Sequence, residues 1–236
     1  MDNVPYEEWC DYLVSLLHHY GCMDGIVLEL GCGTGSLTEL LSDRGYDMIG
    51  IDMSEDMLGI AMEKRAESGQ NILYLHQDMR EFELYGTVAA VVSICDSMNY
   101  LTEPDDFVQT LKLVNNYLDP GGYFIFDLNT RFKYEEVMGN RTIAEDRGDA
   151  AFIWENEFDG ETGLNTYHLT LFAEDEDGRY SRFDEEHVQR AYNIEEIRDA
   201  AAKAGMRFVT AYDAFTAEPP KPDSERIYIV LQEQGK

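Results

Sequence analysis

The sequence predicts an α/β protein: a doubly wound, mostly parallel sheet of seven strands with an antiparallel β-meander inserted late in the chain. Three features point there. Short apolar runs alternate with segments of helical periodicity over roughly the first 130 residues. One of those runs, Ile26-Val27-Leu28-Glu29-Leu30, leads directly into a glycine-rich loop and then a helix. After residue 140 the pattern changes to longer segments of alternating polarity, divided by Gly- and Asp-rich turns.

The elements follow in order. Residues 5–20 read as a helix, with Pro5 at a first helical position and Tyr6, Trp9, Leu13, Leu16, Leu17 and Tyr20 on one stripe. Gly21 can end it. The apolar run 26–30 is a buried strand, followed by a helix over 35–43 and a strand over 46–51. Ser54 is a good N-cap for a helix through Glu67, with Gly69 after it. Strands are expected at 72–76 and 88–94, then a helix from Pro104 to Leu118. Asp119-Pro120-Gly121-Gly122 reads as a turn into a fifth strand, 123–128. Alternating segments at 151–158, 164–173 and 179–191 form a three-stranded meander. Asn193 caps a helix from Ile194 to Ala204, and strands at 206–215 and 226–232 close the chain. This divides one domain into an N-terminal helix (1–22), a core (23–140 and 193–236) and an inserted sheet (141–192).

Composition narrows the function classes. With 47 acidic and 18 basic residues, the net charge is -29. Such a surface repels nucleic-acid phosphate and offers no grip on an anionic membrane. No apolar run has the length of a membrane helix, and the acidic start Met1-Asp2-Asn3-Val4-Pro5 does not look like a signal peptide. Cys10, Cys22, Cys32 and Cys95 form no C-x-x-C pair and have no histidine cluster beside them. No metal site or disulfide framework is expected, and a reducing cytoplasm is the expected location.

The loop Gly31-Cys32-Gly33-Thr34-Gly35 carries the functional signal. Glycine is needed where the backbone turns tightly and approaches a ligand without a Cβ in the way. A dinucleotide fingerprint, G-x-G-x-x-G, would place glycine at position 36; Ser36 stands there instead. Glu29, two residues before the first glycine, would repel a pyrophosphate and attract an ammonium or sulfonium group.

Val27-Leu28-Glu29-Leu30-Gly31-Cys32-Gly33-Thr34-Gly35 resembles motif I of the class I S-adenosylmethionine-dependent methyltransferases, a family with a Rossmann-like fold. Further segments fall in that family's order. Gly50-Ile51-Asp52-Met53-Ser54 resembles the end of the second strand, which implies that Asp52 holds the ribose hydroxyls. His76-Gln77-Asp78-Met79 resembles the adenine-binding segment, which implies that Asp78 accepts from the exocyclic amine. Met53 and Met79 are polarizable and suit packing on the adenine ring. Ser93-Ile94-Cys95-Asp96-Ser97-Met98-Asn99-Tyr100 sits where the family's fourth strand meets cofactor and substrate, and 118–124 resembles the turn into the fifth strand. The implied cofactor is S-adenosylmethionine, released as S-adenosylhomocysteine, with no metal.

Methyl transfer from a sulfonium releases a neutral leaving group. The protein's work is alignment, exclusion of water and, where needed, removal of a proton. Asp96 is the first candidate near the reaction centre, to orient the acceptor or the cofactor's ammonium; Asn99 and Tyr100 would line the same pocket. The inserted meander resembles the substrate lid of small-molecule methyltransferases. Within it, Glu185, His187, Gln189 and Ala191 share one strand face, and Glu186, Val188, Arg190 and Tyr192 the other. His187 is a candidate base near neutral pH, and Arg190 a candidate clamp for a substrate carboxylate or an internal ion pair. In relatives, a helix like that carrying Tyr6 and Trp9 covers the cofactor, with Trp9 towards the acceptor. They usually carry one or two further turns of aromatic-rich chain before it, so an incomplete or differently built cover is expected here. The expected partner is a small-molecule acceptor, with no nucleic acid or membrane, and the protein a monomer or homodimer. The alternatives are methylation of protein or RNA, or a non-catalytic S-adenosylmethionine-binding regulator. A nicotinamide oxidoreductase is disfavoured by Ser36 and Glu29.

Overall fold

The computed structural model describes residues 5–175 and 177–236. The segment Met1-Asp2-Asn3-Val4, on which the expected incomplete or differently built cover depends, lies outside the described residues. Seven strands form the main sheet: β1 (Ile26–Leu30), β2 (Asp47–Asp52), β3 (Leu73–His76), β4 (Val88–Ser93), β5 (Leu118–Asn129), β10 (Met206–Asp213) and β11 (Arg226–Glu233). Their order is β10-β11-β5-β4-β1-β2-β3. Only β11 runs against its neighbours, pairing antiparallel with both β5 and β10.

The sheet reads as continuous apolar sequence because both faces are covered. On one face, α1 (Tyr6–His19), α2 (Ser36–Asp43) and α3 (Glu55–Ser68) bury Leu13, Leu17, Leu41, Leu58 and Ala61. On the other, α4 (Pro104–Tyr117) and α5 (Ile194–Lys203) bury Phe107, Leu111, Val114, Ile197 and Ala201. The caps match the sequence: Ser54 accepts from the Met57 N–H, and Asn193 forms a reciprocal capping box with Glu196. No helix among the described residues is long and apolar enough to cross a membrane.

Between β5 and α5 lies a separate antiparallel sheet, ordered β6-β7-β8-β9. Its long strands are β7 (Ala150–Asp159), β8 (Leu164–Glu174) and β9 (Tyr180–Arg190). A fourth strand, β6 (Thr142–Asp146), extends the expected three-stranded meander. It is exposed at every position, so it shows no inside–outside alternation to read. Two more differences matter for the site. Asp119-Pro120-Gly121-Gly122 is the irregular start of β5 rather than a separate turn, with a register shift against β4 between Val88 and Ala90. A one-turn 3-10 helix at Ser97–Tyr100 and a π-helical turn at Lys133–Met138 follow β4 and β5, where short polar sequence has no period to detect.

In chain order, β2 lies on one side of β1 and β4 on the other. The loops after β1 and β4 therefore open a crevice at the carboxyl ends of the strands, where such sheets bind ligands.

Candidate active site

The glycine loop after β1 is held from below. The Gly31 and Cys32 N–H groups both donate to the Ile51 carbonyl, at 2.8 and 3.0 Å. Asp52 clamps the rest: one carboxylate oxygen accepts from the Gly33 N–H at 2.7 Å, the other from the Ser54 N–H at 2.8 Å. Gly31 and Gly35 have φ of 74° and 73°, which disfavours any side chain. They are also crowded. A Cβ on Gly31 would sit 2.5 Å from Ser97 Oγ, and one on Gly35 would collide with the Tyr74 hydroxyl.

Glu29 lies directly beneath. Its side chain is buried and accepts from Thr38 Oγ1 at 2.5 Å, and among the described residues it forms no ion pair. Burial, with Asp52 adding repulsion, pushes its pKa up to about 8. A buried carboxyl group without a countercharge beside a glycine cradle gains its charged form most readily against a ligand with a positive centre. This donor set is compatible with the sulfonium and ammonium of S-adenosylmethionine.

The segment after β3 is built into its own loop. The Gln77 amide brackets Glu83, with Oε1 accepting the Glu83 N–H at 2.8 Å. Asp78 is gripped by Arg80 through Nε at 3.0 Å and Nη2 at 2.6 Å, which lowers its pKa. Met79 reaches towards Gly31, and Met53 is exposed at the rim. Cys32 is buried, and its thiol is pushed above its usual range by that burial.

Across the crevice, β4 ends in a kink. Cys95 and Asp96 are consecutive non-glycine residues in the left-handed region, with φ of 63° and 53°. Such strain persists only where the surroundings enforce it. Here the Asp96 N–H donates to the buried Asp127 carboxylate at 2.8 Å, and Arg226 bridges Asp127 and Asp96, reaching Asp96 at 2.7 Å. The other Asp96 oxygen accepts from Gln189 Nε2 on the lid at 2.7 Å, and Tyr134 donates to Gln189 Oε1 at 2.9 Å. Asp96 is thus a held carboxylate, suited to orienting a ligand. Lys133 lies within reach of the same charges; burial lowers its pKa, and its Nζ donates to Asn129 Oδ1 at 3.0 Å.

The remaining candidates divide. Tyr100 and His187 meet at 2.9 Å beside Asp96. The Asn99 side chain is fully used by backbone: its amide donates to the Asn129 and Arg190 carbonyls at 3.2 and 2.8 Å and accepts from the Asn129 N–H at 3.0 Å. It joins the inserted sheet to the core. Arg190 turns away, pairing with Glu196 at 3.6 Å and lying over the Tyr192 ring. Trp9 stacks on Phe215, and the Arg226 guanidinium lies over it at 5.4 Å, so α1 does approach this centre. Tyr6 is close enough to Cys95 and Glu29 for both to add to the rise that burial causes in its phenol pKa.

Sequence reasoning missed Asp127, Arg226, Tyr134 and Lys133, and placed Gln189 on the His187 face without giving it a role. Two carried a signal: Asp127 interrupts the apolar run 123–128, and Arg226 heads the apolar run 227–231. Polar groups in such runs need partners.

Comparison with known proteins bears on the same region. A methyltransferase-domain family matches residues 27–122. YqeM of Bacillus subtilis (strain 168), provisionally named a methyltransferase, is 36% identical over 233 residues, covering 98% of this chain and 92% of that protein. The crystal structure of an S-adenosylmethionine-dependent methyltransferase from Clostridium acetobutylicum superposes with a TM-score of 0.91 at 30% identity, over 99% of this chain and 94% of that one. A dTDP-3-amino-3,4,6-trideoxy-alpha-D-glucopyranose N,N-dimethyltransferase from Streptomyces venezuelae is 26% identical, covering 77% of this chain and 75% of the enzyme.

Proposed function

Because this chain belongs to the class I S-adenosylmethionine-dependent methyltransferases, we propose that it methylates a nitrogen or oxygen of a small molecule. One observation carries the acceptor reading. Strand β9 bonds directly to Asp96 through Gln189, so the inserted sheet lies against the kink. A sheet lying there suits a small acceptor better than a polymer, and a net charge of -29 weighs against RNA. The relative named for an amino-sugar substrate supports the same choice.

Bound S-adenosylmethionine supplies an electrophilic methyl group. The chain's residues do the rest. Glu29 offers a negative charge to the ligand's cationic end. Asp52 presents its carboxylate to the ribose hydroxyls, Asp78 and Gln77 border the adenine, and Met53 and Met79 flank it. The glycine loop with Cys32, and Cys95 opposite, form the floor. Asp96, fixed by Arg226 and Gln189, aims the acceptor, and Tyr100, His187 and Trp9 wall its chamber. We read residues 141–192 as the lid of a single domain, 1–22 as its cover, and 23–140 with 193–236 as its core.

Calorimetric titration tests the cofactor half. S-adenosylmethionine and S-adenosylhomocysteine should bind and NAD should not; binding of NAD alone overturns the reading. Asp52→Ala should weaken cofactor binding by about 10- to 100-fold, the loss of one or two charged hydrogen bonds. A methyl-release screen over amines, amino acids, sugar amines and phenols tests the acceptor half. Turnover only on protein or RNA would replace the small-molecule reading.

A further inference from the structure

Tyr100 ends the 3-10 turn that follows the strained kink, and its hydroxyl contacts two lid side chains. Tyr167 Oη and His187 Nδ1 both lie 2.9 Å away. His187 Nε2 lies 3.1 Å from Glu185 Oε2. With a neutral imidazole, these contacts set the direction of every hydrogen bond. A carboxylate only accepts, so Nε2 carries the proton of a neutral imidazole and Nδ1 accepts. Tyr100 therefore donates to Nδ1, and Tyr167 donates to Tyr100. The stack holds the ring plane: Tyr167 lies on His187 at 4.7 Å, and Trp154 lies on Tyr167 at 4.4 Å. Tyr100 comes from the core, whereas Tyr167, Glu185 and His187 come from β8 and β9. The chain of contacts exists only when the lid sits on the core. Tyr100 is 42% exposed, and the Asp96 charge acts on its phenol, so it stands beside Asp96 and open to an acceptor.

We propose that Tyr100 is the catalytic residue that takes the acceptor's proton, with His187 and Glu185 as the positioning pair that draws the tyrosine's own proton away. This rests on the reading of a small-molecule nitrogen or oxygen acceptor, and it narrows that class. The acceptor must keep a dissociable proton: a primary or secondary amine, or a hydroxyl. Its lone pair forms the new bond to the methyl carbon, the carbon–sulfur bond breaks with its electron pair on sulfur, and one proton is left over. That proton passes to Tyr100 Oη as the tyrosine proton passes to His187 Nδ1. The imidazolium is balanced by Glu185 through Nε2–H.

Two measurements on the full-length protein with S-adenosylhomocysteine test this. Nitrogen-15 NMR of the histidine rings, assigned with His187→Gln, should show His187 protonated at Nε2 with Nδ1 unprotonated and hydrogen-bonded. Tyr100→Phe should move the Nδ1 resonance. A ring protonated at Nδ1, or a resonance indifferent to Tyr100→Phe, overturns the relay. With an amine or phenol that turns over, Tyr100→Phe should lower kcat by about 100-fold, the typical worth of positioned proton transfer. Glu185→Gln should shift the acid limb of the pH–rate profile, which a purely structural role would leave in place. Unchanged kcat in Tyr100→Phe with intact S-adenosylhomocysteine binding overturns the relay alone. Absence of S-adenosylhomocysteine binding in the parent protein overturns the methyl-transfer reading itself.

Discussion

The two halves of this site are assembled over very different chain distances. On the cofactor side, Asp52 clamps Gly33 across 19 residues and Thr38 reaches Glu29 across 9. On the acceptor side, Arg226 reaches Asp96 across 130 residues, Gln189 reaches Asp96 across 93, and His187 reaches Tyr100 across 87. The first half is shaped by backbone geometry that β1, β2 and their loops impose locally. The second exists only once the last strand and the lid have docked. The cofactor half should therefore behave as a preformed cradle, and the acceptor half as a network that fails as a unit.

The largest expected effect tests that network. Arg226→Met leaves Asp127, a fully buried carboxylate, without its cation. The expected cost is about 3–5 kcal/mol, read from chemical denaturation, with part recovered in Arg226→Met/Asp127→Asn. A cost below about 1 kcal/mol would mean that the kink at Cys95–Asp96 holds itself, and that the two halves are alike.

Next comes the seam between them. Gly31→Ala combines a φ of 74° with a Cβ 2.5 Å from Ser97 Oγ. We expect a loss of about 1–3 kcal/mol in stability and a larger loss in cofactor affinity, because Ser97 lies just after the Asp96 kink. A variant that binds cofactor like the parent would separate the halves entirely.

The cofactor half also has a pH signature. The folded-state pKa of Glu29, about 8, lies above its ordinary value of 4.5. The folded, ligand-free chain therefore favours the protonated acid. Stability from this group is full below pH 4.5 and is lost as pH rises through about 8. A cationic ligand favours the carboxylate, so its affinity should rise with pH up to about 8, by at most tenfold per unit, then level off. Calorimetry between pH 6 and 9 reads this directly; Glu29→Gln should flatten the profile.

The smallest effect is expected at Arg190. It pairs with the half-exposed Glu196, so Arg190→Gln should cost no more than about 1 kcal/mol and change acceptor KM less than twofold. A tenfold rise in KM would instead return Arg190 to acceptor binding.

The cofactor half was legible because its signals are local. Three glycines, Glu29 and Asp52 fall within 24 residues, and their spacing alone separates a dinucleotide loop from this one. The lid face was legible too, since strand alternation put Glu185, His187 and Gln189 together. Arg190 was ambiguous because the other face of β9 can meet either a ligand or a helix end. The strand β6 and the helical turns after β4 and β5 were not legible, because β6 is exposed throughout and the turns are too short to show a period.

By itself the sequence determined the doubly wound core, the order of its elements, the glycine-rich loop and the existence of an inserted antiparallel sheet. Each of these is encoded in periodicity or in backbone conformations that only glycine adopts freely. Tertiary structure alone decided which residues of the inserted sheet and of the core meet at the Cys95–Asp96 kink. It seated Arg226 between Asp96 and Asp127, placed Gln189 on Asp96 and brought His187 to Tyr100. Pairings of single polar side chains across about a hundred residues leave no repeat in the sequence. Buried charge must find a partner, but only the folded chain selects which one.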